Sequence, residues 1–148
     1  IDPGLIDAIV EAFDGTEADV VTPVFAIESL ADLHDPGLVK AVRGHRGRAL
    51  YFSRSPIPHV RDVEPSQWLD RATFWGHIGV YGFRRSALEG YASLPEGRLE
   101  NVERLEQLRF LEAGLEVYTI VSRHRPIGVD TSEDLERVRA MMETRTPL

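Results

Sequence analysis

The chain has 148 residues, of which 43% are hydrophobic and 28% charged, the size and composition of one ordinary globular domain. It contains no cysteine, which excludes disulfide frameworks, thiolate chemistry and cysteine-ligated zinc. A net charge of -7 argues against nucleic acid as a partner, and no apolar run approaches the roughly 18 residues of a membrane span.

The first predicted element is a helix at the start of the sequence. Asp2 can cap it and Pro3 suits its first turn. Apolar residues follow at helical spacing: Leu5, Ile6, Ile9, Val10 and Phe13. Residues 19–27 are rich in β-branched side chains and predict a strand, which Pro23 places at a sheet edge or a bulge. A short helical turn is expected at residues 29–33.

A hairpin and a long loop come next. Residues 38–43 and 48–52 predict two short strands, and the glycines at both ends of the GHRG connection at 44–47 are typical of a hairpin. The second strand brings Arg54 to its carboxyl end, where the guanidinium could clamp a carboxylate or phosphate, or pair with a surface acid. Residues 55–71 contain three prolines and little periodicity, which predicts a loop that is a lid, a subunit-contact arm or simply mobile.

Residues 73–83 form the most β-prone run in the sequence. Glycine recurs there every third position, a pattern that indicates close approach of another backbone or of a ligand. His77 lies inside this predicted strand and needs either a polar partner in the core or a function. Tyr81, taken alone, is typical of packing. A short helix is expected at residues 84–91.

The longest predicted helix covers residues 99–113. Its apolar stripe consists of Leu99, Val102, Leu105, Leu108 and Leu111. Gly114 follows where a left-handed end is expected. A second face is acidic and carries Glu100, Glu103, Glu106 and Gln107. Taken alone, this pattern indicates a solvated surface with ion pairs to Arg104 and Arg109.

Residues 115–121 predict a further strand, and a last helix begins near Thr131, which can cap it. Asp130 precedes that cap, so it either belongs to the helix start or serves as a carboxylate ligand of the kind that Mg²⁺ takes. Helices and strands alternate, which predicts an α/β fold with an antiparallel excursion around residues 38–83. The sequence has no glycine-rich phosphate loop, HExxH motif or serine-nucleophile elbow.

Four blocks, in order, resemble the signatures of the 3-deoxy-D-manno-octulosonate (Kdo) cytidylyltransferases. They are ALYFSRSPIP at 49–58, GHIGVYGF at 76–83, LENVERLEQLR at 99–109 and GVDTSEDLERVR at 128–139. DPGLVKAV at 35–42 also resembles the family. The resemblance implies a Rossmann-like nucleotidyltransferase fold, a homodimer, and a reaction that joins CTP and Kdo into CMP-Kdo and pyrophosphate for lipopolysaccharide synthesis.

The resemblance also implies roles for particular side chains. His77 and Tyr81 would face the sugar-acid pocket, and Glu106 and Gln107 would hydrogen-bond the hydroxyls of the sugar. Arg54 would approach the anionic sugar acid. These roles suit the chemistry, since a polyol acid needs a cation for its carboxylate and paired donors and acceptors for its hydroxyls.

For Asp130 the resemblance implies a catalytic role as a ligand of Mg²⁺. The ion would bridge the Kdo oxygen and the α-phosphate. The basic nucleotide loop and second metal aspartate of the family's N-terminal half have no counterpart here. We therefore expect residues 1–148 to be a C-terminal portion that binds the sugar acid and forms the dimer, is inactive alone and belongs to a cytoplasmic enzyme. The alternatives are a relative that acts on another acidic sugar and a non-catalytic dimerisation module, which predicts no response to sugar or Mg²⁺.

Overall fold

The computed structural model describes residues 2–123, 125, 135, 136, 139 and 140. The helices in this part are α1 Pro3–Glu11, α2 Leu30–His34, α3 Trp68–Arg71, α4 Arg85–Tyr91, α5 Arg98–Glu103 and α6 Gln107–Glu112. The strands are β1 Val20–Ala26, β2 Lys40–Arg43, β3 Ala49–Ser53, β4 Trp75–His77, β5 Gly82–Phe83 and β6 Val117–Val121. No helix in the described ranges is long and apolar enough to cross a membrane. The predicted last helix begins outside them.

The sheet is mixed and has β1 near its centre. β6 runs parallel to β1 along residues 20–24, while β4 and β5 run antiparallel to it on the opposite side. β2 pairs with β4, and β3 pairs with β2 as the second arm of the predicted hairpin. The α/β class and the antiparallel excursion around residues 38–83 are therefore confirmed.

The position of Pro23 differs from the prediction, because it lies in a central strand and not at an edge. β4 pairs with residues 24–26 of β1 and β5 with residues 20–21, so Pro23 faces the gap between these two partners. Its carbonyl accepts a hydrogen bond from the Ile78 amide at 3.0 Å. The missing N–H of proline is tolerated since no residue of β4 or β5 pairs with Pro23 on that side of the strand.

Helices cover both faces of the sheet, as the alternation of side chains along β1 requires. Val21 packs with Ile9 of α1 on one face. Val20 and Val24 pack on the other face with Leu108 of α6. The capped start of α1 is confirmed, because the Asp2 carboxylate accepts the Gly4 amide at 3.0 Å.

The predicted long helix at residues 99–113 is wrong in one respect, since the structure divides it into α5 and α6. Arg104 ends α5 in the left-handed conformation, with φ of 55°. The apolar stripe is divided too: Leu105 and Leu108 are buried, whereas Leu99 and Val102 are 39% and 81% exposed. The left-handed end at Gly114, with φ of 77°, is confirmed.

The predicted strand at residues 73–83 is also interrupted. β4 ends at His77 and β5 begins at Gly82, and the segment between them leaves the regular ladder. The glycine pattern does indicate close approach at Gly76, where an added Cβ would lie 2.5 Å from the Phe25 ring. The predicted loop at 55–71 is mostly irregular but ends in the short helix α3.

Candidate functional site

A cavity of about 490 Å³ opens between β5, α4 and the junction of α5 with α6. Its lining residues are Tyr81, Phe83, Leu88, Tyr91, Arg104, Leu105, Glu106, Gln107 and Phe110. The aromatic rings contact one another: the Phe110 ring makes T-shaped contacts with Phe83 and Tyr91, with ring centroids 5.4 and 5.3 Å apart. These rings give the cavity a rigid apolar wall with a polar side at the start of α6.

Gln107 is the most buried polar side chain of this wall. It is only 4% exposed, yet its amide makes no hydrogen bond within the described part of the chain. Every fully buried side-chain nitrogen or oxygen in that part has a hydrogen-bond partner. Because the Gln107 amide has none, it is not fully buried and faces the open cavity that Gln107 lines. The Tyr81 hydroxyl likewise makes no hydrogen bond to a described residue. Since buried polar groups are normally paired, both groups are available to a polar ligand.

Glu106 sets the charge on this polar side. It is the N-cap residue immediately before α6 and is exposed. Burial and then the Glu106 charge raise the pKa of Tyr81, and the same two causes raise the pKa of Tyr91. Both phenols are therefore neutral near pH 7 and can donate a hydrogen bond.

His77 lies behind Tyr81, with the two ring centroids 5.4 Å apart. Its Nε2 is 2.8 Å from Thr22 Oγ1, which also lies 2.8 Å from the Val80 carbonyl. Because the hydroxyl has one hydrogen and donates it to a carbonyl, it accepts the Nε2 proton, which leaves Nδ1 as an acceptor. Burial lowers the pKa of His77 to about 4, so the ring is neutral at pH 7.

Arg54 does not line the cavity but supports the junction of α5 and α6. Its guanidinium donates to the carbonyls of Glu103 at 2.8 Å, Pro36 at 2.9 Å and Arg104 at 3.3 Å. The Glu103 carboxylate in turn accepts the Ser53 hydroxyl at 2.6 Å and the Arg54 amide at 3.0 Å. This network fixes the turn from which Glu106 and Gln107 reach the cavity.

Three of the sequence-predicted site residues, Tyr81, Glu106 and Gln107, therefore share one cavity, and His77 contacts Tyr81 from behind. Arg54 does not join them, because its guanidinium donates to backbone carbonyls outside the cavity. Asp130 lies outside the described residues. In the described ranges, no three His, Asp or Glu side chains come close enough together to hold a metal ion.

Several residues of the cavity wall were not identified from the sequence, among them Phe110, Tyr91 and Arg104. Phe110 follows Gln107 by one helical turn, so a helical projection centred on Gln107 could have found it. Tyr91 ends α4, and nothing local predicts that it meets α6. Arg104 also lines the cavity. Its position there depends on its left-handed backbone conformation, which the sequence does not indicate because no glycine occurs at the turn.

Comparison with known proteins gives a consistent set of relatives. Residues 1–120 match the family model described as cytidylyltransferase. The chain is 42% identical over 143 residues to the 3-deoxy-manno-octulosonate cytidylyltransferase of Porphyromonas gingivalis, covering 95% of this chain and 56% of that protein. It is 40% identical over 148 residues to the enzyme of the same name from Rhodopirellula baltica, covering 98% and 59%.

A solved structure is similar as well. The CMP:2-keto-3-deoxy-manno-octonic acid synthetase, complexed with CTP, superposes with a TM-score of 0.89 and 38% sequence identity. The match covers 99% of this chain and 58% of that chain. The chain thus spans a little over half the length of the relatives it matches.

Proposed function

Because the chain belongs to the cytidylyltransferase family, we propose that it forms the sugar-acid-binding portion of an enzyme that transfers CMP from CTP to Kdo. The products would be CMP-Kdo and pyrophosphate, the former a precursor for lipopolysaccharide. The observation that carries this proposal is the buried, unpaired amide of Gln107 facing the cavity. An amide held there has both a donor and an acceptor for a hydroxylated ligand.

The surrounding groups support a polyol ligand. The neutral Tyr81 phenol is available as a donor, and the Glu106 carboxylate accepts hydrogen bonds from sugar hydroxyls. The aromatic wall of Phe83, Tyr91 and Phe110 offers apolar faces to the C–H side of a sugar ring.

In the proposed reaction, a hydroxyl oxygen of the sugar acid attacks the α-phosphorus of CTP in line with the departing group. The new bond joins that oxygen to the α-phosphorus, the bond to the bridging oxygen of the β-phosphate breaks, and the hydroxyl proton passes to solvent. The described residues would position the sugar for this attack, which lowers the barrier through orientation.

We further propose Asp130 as a ligand of Mg²⁺, which would neutralise phosphate charge when bound. The support is the resemblance of the GVDT block at residues 128–131 to the family's signature. A homodimer and a cytoplasmic location are part of the same proposal, the first from the family resemblance and the second because CTP is a cytoplasmic metabolite.

The test is CMP transfer by the intact gene product, with CTP, Kdo and Mg²⁺ supplied. We expect turnover by the wild type, strong loss in the Asp130→Asn variant, and no turnover by residues 1–148 alone. Turnover with a different acidic sugar and none with Kdo would favour the other-substrate alternative. Folded protein with neither turnover nor sugar binding would favour the non-catalytic dimerisation module.

A further inference from the structure

Arg104 is a cation at the edge of the cavity, and we propose that it binds the carboxylate of the sugar acid. This inference rests on the proposed function, since it assumes that the ligand carries a carboxylate. We assign the binding of the carboxylate to Arg104 and not to Arg54, because the Arg54 guanidinium already donates to three backbone carbonyls and does not line the cavity.

The backbone conformation explains how Arg104 reaches the cavity. With φ of 55°, Arg104 leaves the helical path of α5 and its side chain joins the cavity wall beside Glu106 and Gln107. Its carbonyl accepts from Arg54, and the preceding Glu103 carbonyl does the same. A left-handed conformation is unfavourable for arginine, so these long-range hydrogen bonds stabilise the backbone conformation that places Arg104 in the cavity wall.

The charge distribution points to the same residue. Of the lining residues named above, Arg104 is the one with a positive charge. Its guanidinium makes no ion pair or hydrogen bond with any described residue. Arg109, five positions along, is instead held by the Glu100 carboxylate at 2.7 Å. Arg104 therefore has its five donors available in the planar arrangement that suits a carboxylate.

The geometry divides recognition of the acid between two kinds of group. Gln107 and Tyr81 face the cavity with neutral hydrogen-bonding groups, which suit hydroxyls, while Arg104 brings the positive charge. A ligand that has both a carboxylate and several hydroxyls satisfies all three groups together. A neutral sugar of the same shape would leave Arg104 without a partner, so the residue confers preference for the acid.

The test compares Kdo with its carboxamide in the intact gene product, as substrate and as ligand in calorimetric titration. We expect Arg104→Gln to raise the KM and Kd for Kdo by about tenfold to a hundredfold, with the KM for CTP unchanged. The carboxamide should bind the variant and the wild type equally, so the preference for the acid disappears. Arg104→Lys should recover part of that preference.

Arg46→Gln is the matched control, since Arg46 is also exposed, also has a positive φ of 59°, and lies in the hairpin turn away from the cavity. It should leave all constants unchanged. Equal losses for Kdo and carboxamide in Arg104→Gln would show a merely structural role and overturn the inference, as would an undiminished preference for the acid. Wild-type protein that neither turns over nor binds Kdo would overturn the proposed function along with it.

Discussion

Thr22 and His77 are joined by a hydrogen bond of 2.8 Å between Oγ1 and Nε2, across the paired strands β1 and β4. The same hydroxyl is within 3.2 Å of the Ile78 carbonyl, at the point where β4 leaves the ladder. Thr22 is fully buried. The Thr22–His77 pair therefore stabilises the end of β4 and holds the imidazole in contact with the Tyr81 ring.

The first prediction concerns stability against pH. Burial lowers the pKa of His77 to about 4 in the folded protein, whereas an unfolded histidine titrates near 6.5. Between these values the unfolded chain binds the proton and the folded chain does not, so stability falls as pH decreases from about 6.5 to 4. The contribution amounts to at most about 3 kcal/mol.

Urea unfolding at a series of pH values measures this effect. His77→Gln should flatten the dependence between about pH 4 and 6.5, because glutamine does not titrate. Acidic residues also contribute at the lower end of that range, so the difference between the two proteins is the relevant quantity. Parallel curves for the wild type and the variant would contradict the buried neutral imidazole.

The second prediction separates binding from stability at Gln107. Because its amide makes no hydrogen bond within the described residues, Gln107→Met should change the free energy of unfolding by less than about 1.5 kcal/mol. The loss of a ligand hydrogen bond should raise the KM for the sugar acid about tenfold. A large loss of stability would show instead that the amide has a structural partner.

The third prediction concerns the start of α5, where the Glu112 carboxylate accepts the Arg98 and Leu99 amides at 3.1 and 3.0 Å. An added Cβ at Gly97 would collide with that carboxylate. Gly97→Ala should therefore displace this cap and reduce stability by about 1–2 kcal/mol. Gly90→Ala is the control in α4, since an added Cβ there meets no atom within 4 Å.

Thermal or urea unfolding distinguishes the two glycine variants. Gly90→Ala should increase stability by about 0.5–1 kcal/mol, because alanine favours the helix and has fewer unfolded conformations. If both variants shift stability in the same direction, the Glu112 cap is not the cause of the difference.

The fourth prediction concerns Arg54. Arg54→Met leaves the carbonyls of Pro36, Glu103 and Arg104 without their donor and should reduce stability by about 2–4 kcal/mol. Sugar binding should weaken as well, because the turn that carries Arg104 and Gln107 loses its support. Stability is measured by urea unfolding and binding by titration with Kdo.

Arg48→Met is the matched control for this experiment. Arg48 pairs with Glu116 at 2.6 Å but its side chain is 53% exposed, and exposed ion pairs contribute under about 1 kcal/mol. An Arg54→Met variant with unchanged stability but no sugar binding would support direct contact between Arg54 and the sugar acid, as the family resemblance implies.

Local signals in the sequence determined where most elements lie. The Asp2 cap, the two-glycine hairpin connection and the left-handed Gly114 act over a few residues, so each can be recognised without knowledge of the fold. The ordered signature blocks were sufficient to indicate the family. They also singled out Tyr81, Glu106 and Gln107, which come from two separate blocks and meet in one cavity.

Only the tertiary structure decided the features that depend on distant partners. No glycine or proline marks the break at Arg104, and the left-handed conformation there costs about 1–2 kcal/mol. Hydrogen bonds from Arg54, some 50 positions earlier, offset that cost. Glu100, which was predicted to lie on the surface, is buried because it forms an ion pair with Arg109 at 2.5 Å.

Pro23 illustrates the same distinction within the sheet. A proline in a strand signals a missing donor, but only the arrangement of neighbouring strands shows whether that donor was needed. Here β4 and β5 leave a gap opposite it, so a central strand tolerates the residue. Local chemistry set the elements of this protein, and contacts between residues far apart in sequence set how those elements surround the cavity, because such contacts exist only after the chain has folded.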